Sequence, residues 1–171
     1  MVQLPTFEYV DGSVTCQLVA AKSRVAPLHA VSILRLAIIA AVDGLGLAKI
    51  IGHTLELRPA NWTTWSDSMD VLYWIRGRNR NFKPFLVNRV REIQNSTNPI
   101  QWRHVPTESN PADLVSRGIK VAKLTEENMW WNGYIFLCTS PDVHIWPKNK
   151  VEERLTQDHE STNIIKQVVT I

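Results

Sequence analysis

The chain has 171 residues, of which 44% are hydrophobic and 20% charged: room for one folded domain and a tail, and too apolar for wholesale disorder. The net charge is +3 and the pI about 9.0, a balance too mild to point to a nucleic-acid partner from the total alone. Its distribution says more, because Arg76, Arg78, Arg80, Lys83, Arg89 and Arg91 fall in one stretch without an acidic residue, and the rest of the chain is net acidic.

In chain order, residues 6–10 (Thr-Phe-Glu-Tyr-Val) read as a strand, Asp11-Gly12 as a hairpin turn, and Val14 to Ala21 as the partner strand. Val31 to Ile51 is apolar or small almost throughout, and its length and alanine content favour a buried helix. Gly44 and Gly46 weaken its second half by about 1 kcal/mol each relative to alanine. Arg58-Pro59 marks a loop, and Trp62 to Trp65 a strand. The serines flanking Asp67 predict a cap for a helix from about Met69 to Ile75. Gly77 to Asn81 is a basic turn. Pro84 suits the first turn of a helix running to about Gln94. Asn95 to Pro99 is a turn cluster, Ile100 to Val105 a strand, and Asn110-Pro111-Ala112-Asp113 opens a short helix ending near Gly118. Residues 121–171 are irregular by comparison, with Pro141 and Pro147 as punctuation. The expected division is a domain over 1–120 and an extension over 121–171.

Cys16 and Cys138 form no C-x-x-C pair and no metal-like spacing with histidine, so they support neither a zinc site nor a disulfide framework. Met1–Pro5 lacks the regions of a signal peptide. The longest apolar stretch, Leu36–Val42, is bounded by Arg35 and Asp43 and is too short to span a bilayer. The expectation is a soluble intracellular protein without a membrane partner.

Several segments, in order and spacing, resemble one family. LVAAKSRVAPL (Leu18–Leu28) resembles the third strand and following loop of the ribonuclease H domains of BEL/Pao retrotransposons. WSDSMDVLYWIRG (Trp65–Gly77) is similar to the segment carrying their third catalytic aspartate, and FKPFLVNRVREIQ (Phe82–Gln94) to the basic helix after it. QWRHVPTESNPADLVSRG (Gln101–Gly118) resembles the last strand and final aspartate, and WWNG (Trp130–Gly133) the connector toward the integrase of the polyprotein. The resemblance implies an α/β ribonuclease H-like fold with a mixed sheet, and hydrolysis of RNA–DNA hybrids by two Mg²⁺ ions held on clustered carboxylates.

By the same resemblance Asp67 stands at the third carboxylate position and Asp113 at the fourth, the two residues left to hold Mg²⁺. Their plainer reading is as acids at helix starts. The family's helix glutamate, preceded by proline-arginine-leucine, corresponds to Ala37 in Leu34-Arg35-Leu36-Ala37, which offers no oxygen. Asp43 lies six residues on, about 9 Å along the helix, and cannot stand in. The family's first aspartate lies on a central strand upstream of the hairpin, and the expectation is a sheet lacking that strand. Asp11 is first a turn former. His104 falls on the strand side, and the loop Pro106–Ser109 has no histidine. Trp62, Trp65, Trp102 and Trp130 are expected in the core.

The expected function is a degenerate, catalytically inactive ribonuclease H-like domain from a retrotransposon polyprotein. Arg76, Arg78, Arg80, Lys83 and Arg89 are its candidates for binding an RNA–DNA hybrid or a single strand, against the plainer reading of a solvated helix face. Two alternatives accompany it: an active hybrid endonuclease within a longer polyprotein or completed by a partner's strand, and a domesticated interaction module that takes a protein partner on an exposed sheet edge.

Overall fold

The computed structural model describes residues 2–8, 14–29, 31–77, 82–114, 118, 120–125 and 129–133. Their contacts divide into two compact units, one built from the described parts of 1–24 and 106–147, the other from 25–105.

The first unit holds an antiparallel pair, β1 (Val2–Glu8) and β2 (Val14–Ala20). The hairpin expected from Asp11-Gly12 therefore has both its strands, the first beginning at Val2 rather than at residue 6, while the turn itself lies outside the described residues. Pairing in β1 is irregular between Leu4 and Phe7. Pro5 lies in that interval, and proline has no N–H to give to a ladder. A short helix, α4 (Met129–Asn132), packs against β2. Gly133 ends it at φ +71°, its N–H donating to the Met129 carbonyl at 3.0 Å. The WWNG sequence is thus a helix turn and its left-handed glycine stop.

The second unit carries the larger core. α1 (Ile33–Thr54) starts at Ser32, whose side chain accepts from the Arg35 N–H. Ala37, Ile38, Ala41, Val42 and Leu45 recur at helical spacing, and they face an apolar cluster with Val71, Leu72, Ile75, Val90, Ile93 and Trp102. α2 (Met69–Arg76) is capped by Ser68, which accepts from the Val71 N–H at 3.3 Å, and α3 (Pro84–Gln94) places Pro84 in its first turn. α2 begins where its serine cap was expected to start it, and α3 where Pro84 was.

β3 (Thr64–Ser66) and β4 (Trp102–His104) form a short parallel pair, Ser66 opposite His104. Both are shorter than the sequence suggests. Pro99–Gln101, expected partly as strand, is a 3-10 turn closed by a capping box: the Asn98 side chain accepts from the Ile100 N–H, and the Gln101 side chain accepts from the Asn98 N–H at 2.7 Å. The Gln101 amide also donates to the carbonyls of Pro59 and Trp62 at 2.7 and 2.8 Å. That one side chain fastens the turn before β4 to the approach to β3. The chain is mixed helix and strand with a small parallel sheet, an α/β architecture. Its described strands make two separate two-stranded sheets rather than one larger mixed sheet. No helix among the described residues is long and apolar enough to cross a membrane.

Three backbone positions give tests. Gly46 faces open space, so Gly46→Ala adds helix propensity without a clash and should raise stability by about 0.5–1 kcal/mol. Gly52, on the same helix, lets the Trp62 indole sit directly against the backbone, and a methyl there meets the ring. Gly52→Ala should therefore lower stability by about 1–3 kcal/mol, and thermal melts of the two variants should move in opposite directions.

The stop of α1 is a Schellman motif, in which the Leu57 N–H donates to the Gly52 carbonyl at 2.8 Å and the Glu56 N–H to that of His53 at 3.4 Å. It holds Glu56 at φ +54°. Glu56→Gly should relieve that strain and stabilise the protein by about 0.5–1 kcal/mol in urea unfolding; no gain would show that the left-handed conformation costs nothing there.

Candidate carboxylate site and basic surface

Asp67 directly follows β3, between Ser66 and Ser68. The capping role open to it from sequence is taken by its neighbour, since the Ser68 hydroxyl accepts the helix N–H and the Ser68 N–H itself donates to the Ser66 hydroxyl at 3.2 Å. Asp67 thus stands at the carboxyl end of a parallel strand, just outside the helix, where open α/β sheets place ligand-handling groups. Its Oδ2 atom is buried, as is Nδ1 of His104, the register partner of Ser66. Beside them Trp65 and Arg103 are paired across the two strands, the guanidinium carbon 6.0 Å from the ring centroid.

Asp113 is in the other unit, so the two carboxylates expected at one centre are divided between the two units. Asn110 turns the chain there, its side chain accepting from the Ala112 N–H at 3.1 Å and its carbonyl from the Asp113 N–H at 3.0 Å. Asp113 is therefore the acid that closes a tight turn built on Asn110. It is buried.

Ala37, at the position matched to the family's glutamate, is 4% exposed and belongs to the apolar cluster with Ile38, Val71 and Leu72. Among the described residues, no three of His, Cys, Asp and Glu come together closely enough to hold a metal ion. The described donor set does not fit a two-Mg²⁺ centre, which needs several carboxylate oxygens converging on both ions.

Of the basic candidates, Arg78 and Arg80 lie outside the described residues. Arg76 is turned to its own unit: its guanidinium donates to the carbonyls of Pro99 and Ile100 at 3.2 and 3.3 Å, tying the end of α2 to the turn before β4. Lys83 is exposed at the start of α3. Arg89 is paired with Glu92 at 3.2 Å, and its guanidinium carbon lies 5.5 Å from the Phe85 ring centroid. Arg35 of α1 reaches the same ring at 5.2 Å. Sequence reasoning left Arg35 out. The one signal for it was its standing as the single charge in the apolar run Val31–Val42.

Residues 4–68 match the family model described as Pao retrotransposon-like RNaseH-like domain. The matched stretch takes in the hairpin, α1 with Ala37, β3 and Asp67. No curated protein and no solved structure matches the chain. From that match and the order of its segments, residues 4–68 are a Pao-type retrotransposon ribonuclease H-like region.

Proposed function

We propose that this chain is a degenerate ribonuclease H-like domain from a retrotransposon polyprotein, one that does not cleave its substrate and holds RNA–DNA hybrid or single-stranded nucleic acid weakly through its basic surface. In this reading residues 1–120 make up the domain and 121–171 the connector beyond it. The observation that carries the inactivity is Ala37. A side chain without oxygen stands where the chemistry needs a carboxylate, and it is packed in the core rather than held at a polar site. Asp67 and Asp113 are the remnants of the centre, able to attract one hydrated Mg²⁺ at most and not the two-ion clamp. Lys83 at the start of α3 and Arg89 within it, with Arg78 and Arg80 before them, supply the positive charge for phosphate contacts, while Arg76 is committed to the turn before β4.

Incubation of the full chain with a labelled RNA–DNA hybrid and Mg²⁺ should give no cleavage above background. Metal-dependent cleavage that disappears in Asp67→Asn would overturn the reading and establish the hybrid endonuclease instead.

The core position of Ala37 makes a second test. A glutamate there would be desolvated, which raises its pKa in the folded state above the value of about 4.3 it has unfolded. Ala37→Glu should then be tolerated best at low pH, where the carboxyl is neutral in both states. It should lose stability as pH rises, because the unfolded chain releases the proton first. Urea unfolding at acid and neutral pH should show that trend, with no cleavage gained. Stabilisation of Ala37→Glu by Mg²⁺ at neutral pH would mean that the position still faces a metal site.

A further inference from the structure

We infer that Arg35, Phe85 and Arg89 form a two-helix phosphate clamp, a contact for the nucleic-acid backbone that draws one of its two cations from α1. The inference rests on the nucleic-acid reading just proposed and adds to it a residue outside the basic stretch of the sequence. The two guanidinium carbons lie 5.2 and 5.5 Å from the centroid of one ring. Two like charges are thereby brought onto one ring from two helices. Only Arg89 has a counter-charge, Glu92 at 3.2 Å, and that pair is open to water, the side chains 42% and 47% exposed. Arg35 is exposed, and among the described residues its guanidinium has no hydrogen-bond or ion-pair partner.

The Phe85 ring explains how the pair is held. The ring attracts both cations and leaves them guanidinium N–H groups to donate elsewhere. The ring itself packs against the apolar cluster, so the clamp stands on the core rather than on a loop. A group that answers to two guanidinium groups held on one ring is one with several anionic oxygens, and a phosphodiester backbone presents them in series. Lys83, exposed two residues before Phe85, extends the positive surface along such a backbone. Contacts of this kind read phosphate and not base, so the clamp sets affinity and register without sequence preference.

The test is fluorescence anisotropy of the full chain with three labelled probes of matched length: an oligo-dT, an oligo-U and an RNA–DNA hybrid. Wild type is compared with Arg35→Ala, Arg35→Lys, Phe85→Leu and, as a charge control remote in sequence, the exposed Arg58→Ala, with thermal melts confirming that each variant is folded. Arg35→Ala should weaken binding about threefold or more on all three probes and flatten the salt dependence by about 0.7 of a unit for single strands. Arg35→Lys should keep the slope but recover the affinity only in part, since the ammonium lacks the planar fork. Phe85→Leu should weaken binding with the net charge unchanged, and Arg58→Ala should bind as wild type does. Binding that is indifferent to Arg35 and Phe85 would overturn the clamp while leaving the nucleic-acid reading intact. Equal weakening by Arg58→Ala would reduce the effect to net charge, and a loss confined to one probe would refute a phosphate contact. A wild-type chain that binds none of the probes at low salt would overturn both proposals.

Discussion

Trp102 lies 1% exposed in β4, against the apolar residues of α1, α2 and α3. Its indole N–H donates to the Thr97 hydroxyl at 2.9 Å, and that hydroxyl donates in turn to the Ile93 carbonyl at 2.9 Å. A buried tryptophan contributes more apolar area than any other side chain, but only if its one polar atom finds a partner. Thr97 supplies the partner from the end of α3, so the indole can be buried only where α3 stops. That fixes β4 against α3. Register with β3 then fixes Ser66 and, one residue on, Asp67. The turn before β4 is held in the same region, where Gln101 bonds the carbonyls of Pro59 and Trp62, and α3 is tied to α2 by the Gln94 side chain, which donates to the Ile75 carbonyl at 2.8 Å. The position of the candidate aspartate is thus a consequence of how one indole is satisfied.

The same core gives Ala37 its meaning. Five residues of α1 at helical spacing, Ala37 among them, face Val71, Leu72 and Ile75. In an active enzyme of this type a glutamate at that position must be held among polar groups and metal, at the expense of packing. With alanine the helix closes onto the core without a charged group to desolvate. An alanine at this position serves the packing of α1 against α2, and it brings no polar group into the cluster.

The positive charge is sorted by the fold in a similar way. Arg76 spends its guanidinium on two backbone carbonyls, a structural duty that removes part of a charged surface and adds a fastening between α2 and β4. Arg89 remains half open to water, and Arg35 joins it from another helix. A basic run in a sequence is therefore a poor map of a basic surface, because neighbours along the chain part company on folding and strangers converge.

Local physics made much of this protein legible in advance. The serine cap set the start of α2, Pro84 the start of α3, and the alanine-rich apolar run the body of α1, which runs Ile33–Thr54 rather than from Val31 to Ile51, since each of these depends on residues within a turn or two. The order of the motifs around Ala37 and Asp67 carried the family resemblance over residues 4–68, because it is a pattern of spacing along the chain. The rest depended on contacts between residues far apart in sequence. Strands of three residues could not be bounded from their own composition, because Gln101 and the Trp102–Thr97 bond decide where they begin. Which arginines bond the fold and which face solvent, and that Ala37 is buried in the core, were settled only when α1, α2 and α3 came together, for burial is a property of the assembled unit and of no single segment.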